Sequence, residues 1–65
     1  MKVVAHTKYG QFESLDVEYT ENQYNYLRDV VFKVADSPFF HFETANGTVY
    51  LPQGIIQDTI FEIQK

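Results

Sequence analysis

The sequence predicts a small α+β domain of order ββαβββ, with one mainly antiparallel sheet and one helix packed on one of its faces. Three observations carry this. A capped run with apolar residues at spacings of three and four spans Glu21 to Ala35. Two short β-rich stretches precede it, joined around Gly10. After it, Asn46–Gly47 stands between two aromatic and β-branched runs, and a last run of the same kind closes the chain.

"KVVAHTK", Lys2 to Lys8, reads as the first strand, and Gly10 supplies a turn because glycine takes positive φ without steric cost. "FESLDVEY" then alternates, placing Leu15, Val17 and Tyr19 on one side and Ser14, Asp16 and Glu18 on the other, the pattern of a half-buried strand. The helix begins in "TENQ", where the Thr20 hydroxyl caps and Gln23 lies three residues on. Tyr19 and Tyr24 flank the cap as a hydrophobic staple, and Glu21 suits the positive end of the helix dipole. Tyr24, Leu27, Val31 and Val34, with Val30 beside them, form the apolar stripe. "DSP" ends the helix, since the residue before Pro38 is pushed out of the helical region.

Beyond it, "FFHFETA" and "TVYL" form a hairpin through "NG", and Pro52 stops the second strand because it cannot donate to a ladder. "QGIIQD" is a loop or a single helical turn, and "TIFEI" is the last strand. A two-residue turn at Asn46–Gly47 pairs Ala45 with Thr48, Glu43 with Tyr50 and His41 with Pro52. Phe40, Phe42, Val49 and Leu51 then share the more apolar face and are assigned to the core under the helix. Phe39, His41, Glu43 and Tyr50 point to the opposite face. Either the segment from Gly54 to Lys65 covers that face or it meets something else.

Composition narrows the function. With 65 residues there is room for one domain, residues 1–65, which buries only about 60% of its unfolded surface. Absence of cysteine removes disulfides and thiolate zinc sites, leaving oligomerisation as an available source of extra stability. Five Lys and Arg against nine Asp and Glu give a net charge of −4, and the basic residues are scattered, so no direct nucleic-acid binding is expected. The start "MKVVAHTKYG" lacks the apolar core of a signal peptide, and no apolar run is long enough to span a bilayer. The expectation is a cytoplasmic protein with no membrane partner; the "NGT" sequon at Asn46 has meaning only in a secretory pathway.

No catalytic constellation emerges. His41-x-Glu43 matches the first half of the zinc-deaminase pattern, whose second half needs cysteines that are absent. A metal site would require His6 and a carboxylate to converge on His41, and acid–base chemistry would require a water-excluding pocket. Gly10, Gly47 and Gly54 are isolated, so there is no phosphate loop. No metal, no cofactor and no enzyme activity are expected. Exposed aromatics beside polar residues are instead the composition of protein–protein interfaces. The expected function is a non-enzymatic interaction module, a small accessory or inhibitor-type protein. It would act through the aromatic face of Phe39, His41, Glu43 and Tyr50 or through an edge strand such as "TIFEI", with a protein partner that includes a second copy of itself. The alternative is a nucleotide-like ligand held between aromatics at a subunit interface, with Arg28 or Lys33 supplying charge.

Overall fold

A computed structural model describes residues 1–65. β1 (Lys2–Thr7) and β2 (Gly10–Glu13) form the first hairpin, and α1 (Glu21–Lys33) runs into a 3-10 turn (Val34–Asp36). β3 (Phe39–Thr44) and β4 (Gly47–Pro52) form the second hairpin, and α2 (Gln53–Ile56), a single turn, leads into β5 (Ile60–Gln64). The α+β class and the order ββαβββ are those the sequence predicts.

The single sheet is not. The strands divide into a three-stranded antiparallel sheet, β2-β1-β5, and the two-stranded hairpin β3-β4. In the first, β1 pairs with β5 from Lys2 opposite Gln64 to His6 opposite Ile60. A bulge explains the division. Pairing that sets Val4 opposite Glu13 continues with the Ser14 amide bonded to the Val3 carbonyl at 2.9 Å. Regular pairing would next bring Asp16 to Met1, but the amide that reaches the Met1 carbonyl, at 2.8 Å, is that of Val17. One extra residue is inserted, and a bulge of this kind bends the strand and breaks its ladder. The predicted strand through Tyr19 therefore ends at Glu13, and Leu15, Val17 and Tyr19 stay exposed instead of forming a buried face. The bulge follows Leu15, whose amide points away from β1 and donates to the Glu43 carbonyl at 2.9 Å, the one backbone hydrogen bond between the two sheets. It also sets the Asp16 carboxylate 2.6 Å from the terminal ammonium of Met1, which holds that carboxyl below its ordinary range.

Both hairpins turn by the same device, Thr-x-x-Gly. The Thr7 hydroxyl accepts from the Tyr9 amide at 3.0 Å and donates to the Gly10 carbonyl at 2.9 Å. The Thr44 hydroxyl accepts from the Asn46 amide at 3.2 Å and donates to the Gly47 carbonyl at 3.1 Å. The glycines take φ of +131° and +141°, and no other residue has positive φ. A type I′ turn at Asn46–Gly47 would need positive φ at Asn46. The threonine selects Ala45–Asn46 as the loop instead, with Gly47 opposite Thr44, and the register moves. Glu43 faces Thr48 rather than Tyr50, and His41 faces Tyr50 rather than Pro52. The displacement is by two residues, so each side chain keeps its predicted face.

α1 starts as the cap predicts. Thr20 Oγ1 accepts from the Gln23 amide at 3.0 Å, and the Tyr19 and Tyr24 rings lie 6.2 Å apart. The Lys65 ammonium stands 4.5 Å from the centre of the Tyr24 ring and 5.7 Å from that of Tyr19, tying the end of β5 to the start of the helix. At the far end, the helix tightens into the 3-10 turn two residues before the expected Ala35, and Ser37 is extended ahead of Pro38.

The molecule is a slab 15 Å thick, and seven residues are buried. Ala5, Val34, Leu51 and Ile56 form the centre, with Phe40, Phe42, Val49, Ile55 and Phe61 against them. Phe40 meets Phe61 edge to face at 5.5 Å, joining the inner faces of the two sheets. The predicted core set of Phe40, Phe42, Val49 and Leu51 does point inward. Its cover differs from the expectation: Val34, Ile55 and Ile56 lie over it, and no residue of α1 is buried. Between α1 and the sheets a groove of about 340 Å³ remains, with Leu15, Val17, Tyr26, Leu27, Val30 and Phe42 among its walls. On the opposite face of the three-stranded sheet, Val4 is wholly inaccessible, although its neighbours there are polar. On that face Lys2 bonds Glu13 at 2.5 Å and His6 bonds Glu62 at 3.0 Å, one pair on each side of the valine along β1. No helix is long and apolar enough to cross a membrane.

Candidate functional site

Successive strand residues point to opposite faces, so Phe39, His41 and Glu43 of β3 share a face with Thr48, Tyr50 and Pro52 of β4. The Phe39 and His41 rings stack with centroids 5.9 Å apart and planes 24° apart. Across the strand, the Tyr50 ring lies 5.6 Å from that of His41. The three rings form a ladder, and its ends are open: Phe39 is 53% and Tyr50 67% exposed. The last strand does not cover it. β5 pairs with β1, and the segment that leads to it packs Ile55 and Ile56 on the inner side of the hairpin.

Glu43 belongs to the face but not to the ladder. The register puts Thr48 opposite it, and the Thr48 hydroxyl donates to Glu43 Oε1 at 2.8 Å. His41 therefore has aromatic neighbours on both sides, while the carboxylate two residues on is held by a hydroxyl. A His–Glu pair does exist, on the other sheet: His6 Nε2 lies 3.0 Å from Glu62 Oε1, and Gln64 Nε2 donates to the same oxygen at 3.3 Å. The hydrogen bond from His6 is the main reason that the Glu62 carboxyl is held below its ordinary value. The two histidines thus lie on separate sheets, each with its own partners.

No family model matches this chain, and no curated protein or solved structure matches it either.

The ladder was legible in the sequence because face alternation survives a two-residue shift in register. Thr48 was not, since its partner depends on which residues form the turn. The groove beside β3 was also not legible. Its apolar walls, Leu15 and Val17, read as a strand face, and only the bulge shows that they line an open cleft. Tyr26 reads as solvated surface and is exposed, yet it forms part of the same wall.

Proposed function

We propose that this chain is a non-enzymatic protein-interaction module, an accessory or inhibitor-type protein of the cytoplasm, whose contact surface is the face bearing Phe39, His41, Glu43 and Tyr50. The observation that supports this is the uncovered ring ladder. Three contiguous rings stand on a rigid hairpin whose other face is anchored in the core. Rigid aromatic anchors contribute most of the energy at protein interfaces, because they bury large area and lose few rotamers on binding. Glu43, held by Thr48, supplies an oriented acceptor at the rim of the patch. The partner is a protein, and a second copy of this chain is one such partner.

The test is association measured on Phe39→Ala and Tyr50→Ala, with circular dichroism and urea midpoints confirming the fold. Each variant is expected to weaken binding about 10- to 30-fold, the loss of an aromatic hot spot. Light scattering reads self-association, and capture by tagged protein compared between wild type and variants reads a heterologous partner. Unchanged association in both assays overturns the assignment of this face.

A second reading, a small planar ligand, draws support from the groove, which lies within one chain between α1 and the sheets and not at the subunit interface expected from the sequence. Its volume of about 340 Å³ lies in the range of small-ligand sites. A thermal-shift screen with nucleotides and aromatic metabolites decides it, because a ligand that binds the native state raises its melting temperature.

A further inference from the structure

We propose that a second copy of this chain pairs with the first along the outer edge of β4, antiparallel, about a twofold axis at Val49. This rests on the reading of the chain as an association module and names one partner and its docking strand. In an antiparallel ladder the N–H and C=O of one residue point the same way, and successive residues alternate. The Glu43 carbonyl points away from β4, toward Leu15. Phe40, Phe42 and Thr44 therefore bond to Leu51, Val49 and Gly47, and the backbone groups of Thr48 and Tyr50 point outward from the other side of β4. No backbone hydrogen bond reaches them.

Charge selects this edge and selects a second copy. β4 is the one strand without a charged side chain, in a chain of net charge −4. Two copies therefore meet along it with the least repulsion. The competing edges are defended. β2 carries Glu13 and bends away into the bulge, and the end of β5 is held against α1 by Lys65 over Tyr24. β4 has none of these devices except Pro52 at its end, which has no N–H and limits pairing to the stretch before it.

The outward groups are self-complementary. With Val49 opposite the partner's Val49, Thr48 faces the partner's Tyr50 and Tyr50 faces the partner's Thr48, exchanging four N–H···O bonds. A twofold axis normal to the sheet keeps both exposed faces on one side. Two three-ring ladders then flank a four-stranded sheet of order β3-β4-β4-β3. A lone two-stranded hairpin is marginal, and three or more strands with an apolar face are not.

The experiment separates backbone pairing from ring contact. Tyr50→Pro removes an outward N–H and breaks no internal bond, whereas Tyr50→Thr removes the ring and keeps the edge. Wild type is expected at twice the chain mass by light scattering. Tyr50→Pro, which loses the edge as well as the ring, is expected to raise the dimer dissociation constant at least about 100-fold, and Tyr50→Thr, which loses only the ring, about 10- to 30-fold. Should Tyr50→Pro not fold, Val49→Cys replaces it. The chain has no native cysteine, and the opposed thiols at the twofold axis should form an intermolecular disulfide under mild oxidation, while Gln11→Cys on β2 should not. A dimer that survives Tyr50→Pro, a Tyr50→Thr variant as monomeric as Tyr50→Pro, or equal cross-linking at both cysteines overturns the pairing. A monomeric wild type also overturns it. In that case the ladder reading is judged separately, by whether Phe39→Ala and Tyr50→Ala lose a heterologous partner.

Discussion

The Leu15 amide donates to the Glu43 carbonyl at 2.9 Å, and this bond alone joins the backbones of the two sheets. Leu15→Pro removes the donor, and the preceding Ser14 lies outside the helix, where a following proline is tolerated. The variant is expected to lose about 1 kcal/mol of stability, the net worth of one hydrogen bond. Urea unfolding measures the loss. Amide exchange in the wild type should show Leu15 protected, but less than Ala5 at the centre of the three-stranded sheet.

Gly10 and Gly47 set both turns at φ where L side chains are strained, although open space surrounds the position of a Cβ at each. Gly10→Ala and Gly47→Ala should each cost about 1–2 kcal/mol through backbone strain alone. Gly54→Ala, with ordinary φ and equal space, should cost nothing or stabilise slightly. Equal urea midpoints for all three variants would remove the conformational argument for the Thr-x-x-Gly turns.

The helix cap gives a third test. Thr20→Ala leaves the Gln23 amide without its acceptor and should cost about 1 kcal/mol, while Thr20→Asp should restore it. Far-UV circular dichroism through the melting transition reads both.

Core and surface should separate sharply. Leu51→Ala is expected to cost about 2–5 kcal/mol, enough to unfold much of a domain this small. Phe32→Ser, at a ring 85% exposed, should change stability by less than about 0.5 kcal/mol. Thermal melts of the two variants check the contrast.

Acid should weaken the fold through Glu62. Its carboxyl is held below the ordinary 4.5, first by the hydrogen bond from His6. A depressed carboxyl contributes stability that is complete above its ordinary value and drains as pH falls through the lower folded value. Stability measured from pH 7 down to pH 3 should fall on that limb, and Glu62→Gln should flatten it. An unaltered slope in the variant would show that the pair carries no linkage.

The helix and the facing of the hairpin were legible in the sequence because both rest on short-range rules. Thr20, Gln23 and Pro38 mark the helix ends locally, and alternation assigns Phe39 and Phe40 to opposite faces whatever the register. What escaped depends on contacts between distant residues. The bulge at Leu15–Asp16 answers to Met1 and Glu43, and the alternation from Ser14 to Tyr19 hid it. The turn at Ala45–Asn46 answers to the Thr44 hydroxyl, which outweighs the preference of Asn-Gly for a tighter turn. For the ladder, the sequence named its rings and the register supplied their order.

The pairing of Lys2 with Gln64 has a kinetic consequence. Each hairpin closes a loop of two residues, whereas the β1–β5 ladder closes one of nearly the whole chain. Loop entropy grows with length, and pairings far apart in sequence slow folding. Both hairpins and the capped helix can thus form within microseconds on their own local signals. The docking of β5 then sets the pace. Substitutions in β5 should slow refolding more than equally destabilising ones at Thr7 or Thr44, so the strand with the most distant partner is the one that commits the chain to its fold.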